Sequence, residues 1–174
     1  PWQLTQTLET LLRSLLPSLG AEWEIRDELA RHASAVVEAG ASIKGAAVIG
    51  PGTFVSGSAL LRGGVWLGEG CIVGPGCELK TSFMGAGSKL AHLNFCGDSV
   101  IGSDVNIEAG AMLANYRNEH DDKRIRVRLG GVLHTLAVNK FGALVGDGCR
   151  IGANAVLAAG TVVRRLQLVD QEQG

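Results

Sequence analysis

Aromatic residues make up only 5% of this 174-residue chain, and proline occurs 4 times. Rings are too scarce for a core built around Trp, Tyr and Phe. An excess of either charge is missing as well: 16 Lys and Arg stand against 17 Asp and Glu, a formal net charge of −1. That balance gives no electrostatic basis for wrapping nucleic acid or coating an anionic membrane, so neither is expected as a partner. Long hydrophobic runs are absent, because glycine or a charged residue interrupts each apolar stretch well short of the roughly 18 residues of a membrane span. Residues 1–20 lack the basic start and small-residue cleavage site of a secretory leader. A soluble, cytoplasmic protein is the corresponding expectation. Cys71, Cys77, Cys96 and Cys149 form no CxxC pair, and His32, His120 and His134 fall at no spacing that gathers a zinc site. No metal is expected.

Glycine is abundant, with 25 residues, and 46% of the chain is hydrophobic. These residues recur with a period of six. An aliphatic side chain stands at Val37, Ile43, Ile49, Val55, Leu61, Leu67, Val73 and Leu79. The phase breaks, resumes at Ile101, Ile107 and Leu113, breaks again, and returns at Val145, Ile151, Leu157 and Val163. A mostly small residue precedes each by two positions, and Cys71, Cys77 and Cys149 occupy that slot, which marks them as packing residues. Six residues advance an α-helix by about 600°, rotating successive contacts by roughly 120°, so no helix keeps them on one face. Short strands separated by turns do, and Gly50-Pro51-Gly52, Gly68-Glu69-Gly70, Gly74-Pro75-Gly76 and Gly146-Asp147-Gly148 supply turns. The pattern is that of stacked units, an all-β parallel β-helix of hexapeptide repeats.

Pro1 to Leu19 differs: leucines recur at three and four, the signature of a short amphipathic α-helix ended by Gly20. Residues 1–34 therefore read as an N-terminal helix and linker, 35–165 as the β-helix, and 166–174 as a polar, frayed tail. Residues 116–142 leave the repeat for a long excursion dense in charged residues. Loops of that length are uncommon unless they serve function.

If three hexapeptides make one coil, Lys44, Arg62 and Lys80 form a column of cations. Strands stack about 4.8 Å apart, so two readings are open: solvated charges on a polar face, or a phosphate clamp built from Arg62 and Lys80. His92 lies at the first phase break, where a rigid repeat re-aims a side chain. It is either a structural histidine or a proton acceptor, to which an imidazole is suited at neutral pH.

The run Glu78 to Arg117, with DDKRIRV (121–127) and KFGALVGDGCRIGANAVLAAG (140–160), closely resembles the acetyltransferase domain of bifunctional sugar-1-phosphate nucleotidylyltransferase/acetyltransferases of the glucosamine-1-phosphate acetyltransferase type, archaeal-type members above all. The resemblance implies a left-handed coil and a homotrimer with active sites between neighbouring prisms. It also implies acetyl-CoA as co-substrate and an amino-sugar phosphate, a small molecule, as acceptor. Carried over by position, Arg62 and Lys80 fall on the sugar-phosphate cations and His92 on the general base. Asn106 falls on a sugar contact, Asn115 and Tyr116 on the acceptor site, and Ala109 and Ala158 on backbone positions beside the thioester or pantetheine arm. Phe95 stands where bacterial members have tyrosine, and Glu108 and Ala111 replace the glycine and threonine of NxGAGT. LHTLAVNKFG (133–142) lacks the basic pair that archaeal relatives carry before KFG. The nucleotidylyltransferase domain has no counterpart here. Direct N-acetyl transfer is the expected activity. The alternatives are a hexapeptide acyltransferase with another amino-sugar or nucleotide-sugar acceptor, and a non-catalytic trimeric sugar-phosphate-binding module. A γ-class carbonic anhydrase is disfavoured because the histidines do not fall at coil spacings that bring three onto one metal.

Overall fold

A computed structural model describes residues 1–170 as a three-sided β-helix with a helix laid along one side. The first face stacks seven parallel strands, from Val36–Val37 to Leu168–Val169. The second runs from Ser42–Lys44 through Phe95–Gly97 to Val156–Leu157, and the third from Leu29–His32 through Val100–Ile101 to Thr161–Val163. Two long strands, Leu60–Leu67 and Glu78–Met84, bend round the edge between the second and third faces and contribute to both. Period-six side chains point inward: Ile49, Val55, Leu61, Leu67, Val73 and Leu79 are each 0% exposed. Burying one such aliphatic is worth about 1.5–3 kcal/mol, so the stacked interior dominates stability.

The repeat does not stop after Leu79. Met84, Leu90 and Cys96, all 0% exposed, carry the inward positions on to Ile101. The apparent break is the loss of one corner residue in each of two coils. Eighteen residues separate Arg62 from its register partner Lys80, whereas seventeen separate Phe83 from Val100. Both losses fall on the edge between the second and third faces. Gly63 and Gly64 turn that corner in one coil, Thr81 alone in the next, and Asp98 alone in the one after. A one-residue corner forces the left-handed backbone region, with φ of 49° at Thr81 and 45° at Asp98. For a β-branched residue such as Thr81 this is strained, by roughly 1–2 kcal/mol. The charged excursion leaves the coil at the same edge, after Met112–Leu113 and before Ala143–Val145. Every change in coil length is thus confined to one edge of the prism.

In these shortened coils the small inward slot is polar. Ser82, Ser88, Asn94 and Ser99 are buried, and each hydroxyl or amide donates to a main-chain carbonyl, as in Ser88 Oγ to Gly102 O at 2.7 Å and Asn94 Nδ2 to Glu108 O at 2.6 Å. Among the described residues no buried side-chain polar atom lacks a partner.

The third face is apolar on its outer side too. Ala30, Val48, Trp66 and Phe83 form a column covered by helix α1 (Trp2–Leu15), whose Leu8 and Leu12 are buried against it. Trp66 and Phe83 stack with ring centres 5.8 Å apart. Gly64 admits the helix backbone, since a Cβ there would lie 2.8 Å from the Glu9 N and Cα atoms. A 3-10 turn, Leu16–Ser18, closes the helix before Gly20. Further along the face, Leu144 and Val162 are covered by the excursion, which packs Ile125, Val127, Leu136, Val138 and Phe141 onto them. The excursion is therefore a docked hairpin, Arg126–Leu129 with Val132–Thr135, turned by Gly130 and Gly131 at positive φ.

Two expectations need correction. Residues 21–34 are no simple linker: Trp23–Arg26 pairs antiparallel with Leu29–His32, which in turn pairs parallel with Ala47–Ile49, so the coil begins before residue 35. The tail is not frayed throughout, because Leu168–Val169 pairs with Arg150–Ile151 as a last rung; the expectation for 171–174 lies outside the described residues. No helix among the described residues is long and apolar enough to cross a membrane.

Candidate active site

The cation column exists. Lys44 is the register partner of Arg62, and Arg62 that of Lys80. Like charges at strand spacing repel, and the fold answers with carboxylates. Glu78 Oε1 accepts from Arg62 Nε at 2.7 Å. Lys80 Nζ donates to both oxygens of Asp98, at 2.9 and 2.8 Å. The two pairs differ in exposure: the Lys80 and Asp98 side chains are 18% and 11% exposed, those of Arg62 and Glu78 41% and 29%. Asp98 Oδ2 also accepts from Asn115 Nδ2, so Lys80, Asp98 and Asn115 form one polar unit at the irregular edge. The Arg62 Nη hydrogens take no hydrogen-bond partner among the described residues. Tyr116, the next residue in the chain, is 38% exposed, with Lys123 Nζ 5.5 Å from its ring centre.

The other predicted residues sit elsewhere. His92 occupies the turn from the first face to the second, and its side chain is exposed and takes no hydrogen bond among the described residues. Its carbonyl accepts from Gly110 N at 2.9 Å, and Ala109 O accepts from Asn154 N, so His92 and Ala109 stack at one edge. Asn106 lies on the first face, its Nδ2 donating to Glu108 Oε1 at 2.6 Å. It lines an open groove of about 560 Å³ with Lys89, Glu108 and Arg150. Ala158 is exposed, directly after the last strand of the second face.

One chain thus brings Arg62, Lys80 and Asn115 together at one end of the second face and places His92 and Ala109 at the other. Phe95, Met112 and Val156 point outward between them. Glu78 and Asp98 went unread in the sequence. Asp98 follows Gly97, the register partner of Lys80, at a one-residue corner, so its pairing with Lys80 depends on the shortened coil and not on the period.

The cysteines lie outside any such chemistry. Burial pushes the Cys71 and Cys96 thiols up to about 11, and Cys77 is raised by the same cause. A thiol held neutral is a poor nucleophile. Among the described residues no three His, Cys, Asp or Glu side chains gather to hold a metal ion.

Residues 46–81 match the bacterial transferase hexapeptide family (six repeats). A bifunctional sugar-1-phosphate nucleotidylyltransferase/acetyltransferase of Sulfurisphaera tokodaii is 37% identical over 91 residues, covering 52% of this chain and 22% of that protein. The bifunctional protein GlmU of Synechococcus sp. (strain RCC307) is 33% identical over 132 residues, covering 76% of this chain and 24% of that protein. The chain therefore spans less than a quarter of these relatives' lengths. Among solved structures, a hexapeptide transferase family protein from Anaplasma phagocytophilum superposes with a TM-score of 0.53 at 15% identity, over 80% of this chain and 72% of that one, a likeness of fold alone. Period, coil and sequence likeness agree: the chain is a hexapeptide-repeat protein related to the bifunctional sugar-1-phosphate nucleotidylyltransferase/acetyltransferases.

Proposed function

We propose that the chain transfers an acetyl group from acetyl-CoA to the amine of an amino-sugar phosphate. The observation that carries this reading is the stacking of Arg62 on Lys80 in register and the sharing of Asp98 by Lys80 and Asn115 along one edge, since these residues come from separate coils and share one acceptor-binding role in the family resemblance. The acceptor phosphate takes the Arg62 Nη donors and draws Lys80 from Asp98, while Asn115 and Tyr116 flank the sugar. His92 serves as general base. The amine nitrogen attacks the thioester carbon, His92 accepts the proton, and collapse of the tetrahedral intermediate breaks the carbon–sulfur bond and returns that proton to the departing thiolate. Main-chain N–H groups near Ala109 and Ala158 stabilise the oxyanion. Because His92 and Lys80 occupy opposite ends of one face, the complete site forms between neighbouring prisms, with His92 of one copy facing the cations of another in a homotrimer.

Release of free thiol from acetyl-CoA in the presence of glucosamine 1-phosphate tests the reading. His92→Ala is expected to lower kcat by roughly 10²- to 10⁴-fold. Arg62→Ala, at the more exposed pair, is expected to raise the acceptor's KM roughly tenfold while leaving that of acetyl-CoA unchanged. Absence of turnover across a panel of amino sugars would remove the enzymatic reading. A second acceptor class is favoured by the carboxylates themselves: Glu78 and Asp98 already neutralise the cations, which suits a less anionic amino sugar. That reading predicts turnover of unphosphorylated acceptors at least as fast as of phosphorylated ones.

A further inference from the structure

The docked excursion creates a cleft that the acetyl-transfer reading leaves unused. It lies between the hairpin strand Arg126–Leu129 and the last strand of the third face, Thr161–Val163, and has a volume of about 370 Å³. Arg126, Arg128 and Arg164 line it, and among the described residues no carboxylate does. Strand alternation explains the arrangement: Val127 is buried against the prism, so Arg126 and Arg128 on either side point outward. Arg126 shares Asp122 with Arg124, at 3.2 and 2.9 Å. Among the described residues the Arg128 guanidinium donates only to the Gly131 carbonyl, and the Arg164 guanidinium has no partner. The frame beneath these cations is fixed. Gly160 lets the hairpin seat, since a Cβ there would lie 2.3 Å from Arg126 O, and Ile125, Val127 and Phe141 pack below. Leu133 and Val162 add an apolar wall.

Arg126 has Asp122 as counter-charge, whereas Arg128 and Arg164 have none among the described residues, and a guanidinium fork matches phosphate oxygens in pairs. We propose that this cleft is a binding site for a phosphate or diphosphate group, with Arg128 and Arg164 as its principal ligands and the apolar wall taking the body of the molecule that bears it. The site stands apart from the acetyl-transfer reading, and either fails without the other.

Isothermal titration of the full chain with pyrophosphate and, separately, with ADP tests the site and distinguishes a free inorganic anion from a phosphorylated organic molecule. Saturable binding is expected for both, tighter for ADP, with an affinity that falls as salt rises. Arg128→Ala and Arg164→Ala are each expected to weaken it roughly tenfold, Arg164→Lys to weaken it less, and Arg150→Ala, on the first face, to leave it unchanged. Thermal melting confirms that each variant is folded. No saturable binding of either probe at low salt overturns the proposal, as does an equal loss in Arg150→Ala and Arg164→Ala.

Discussion

Replacing Asp98 by Asn isolates the charge that holds the polar unit at the irregular edge. Asparagine has the same shape and tolerates the φ of 45° at this position, so the backbone is spared. The carboxylate that accepts from Lys80 Nζ and Asn115 Nδ2 becomes an amide with a single acceptor oxygen, and Lys80 keeps its charge. Removing one partner of a fully buried ion pair costs about 3–5 kcal/mol. Discounted for side-chain exposures of 18% and 11% and for the acceptor oxygen that asparagine retains, the expected loss is about 2–3 kcal/mol. Urea denaturation reads this as a midpoint lower by about 1 M at a typical slope. A double-mutant cycle with Lys80→Met should return a coupling of about 2 kcal/mol. A loss within about 0.5 kcal/mol in Asp98→Asn would place the pair among solvated surface bridges and refute the reasoning. The same variant carries a functional sign. If a phosphate takes Lys80 from Asp98, removing the competing carboxylate lowers the acceptor KM; an unchanged KM means that Lys80 does not touch the acceptor.

Other consequences are as direct. Gly160→Ala places a methyl group against Arg126 O in a backbone at φ 88°, and should cost about 2–4 kcal/mol with loss of hydrogen-exchange protection over residues 125–138; unchanged exchange there would show that the hairpin docks otherwise. Thr81→Asn relieves a β-branched residue at φ 49° and should stabilise by roughly 0.5–1 kcal/mol, read as a rise in Tm. The Cys71 and Cys96 thiols ionise near 9.0 when unfolded and near 11 when buried. Their contribution to stability is therefore full below pH 9 and is lost as pH rises through 11. Tm should fall over that interval, less steeply in Cys71→Ala, and native protein should react with a disulfide reagent far more slowly than protein unfolded in urea.

Much of the fold is written in single residues. The inward series from Val37 to Leu79 is legible because each coil face buries one aliphatic side chain at a constant spacing. The stretch from Thr81 to Ser99 is illegible by that rule for two reasons. Its corners have one residue where others have two, which shifts the count, and its small slots hold Ser82, Ser88 and Asn94, whose polarity is hidden by bonds to carbonyls that only the folded chain supplies. The hairpin Trp23–Arg26 with Leu29–His32 is too short for periodicity to mark. In the site, the stacking of Arg62 on Lys80 follows from counting, whereas their ion pairs depend on side chains meeting across coils. The wide separation of His92 from Lys80 follows from which edge each turn occupies, and a phase count that loses its place at Leu79 does not reveal it.

Confining length changes to one seam has a further consequence for how such a chain diverges. A solenoid hemmed at a single margin admits a longer or shorter insert there without re-threading any rung, while the other two margins keep their rise. The insert inherits a ready-made apolar backing in Leu144 and Val162, so new sequence lands on an existing floor. Recognition surfaces grown from that seam are free to change their chemistry, and the stacking energy of the column is left intact.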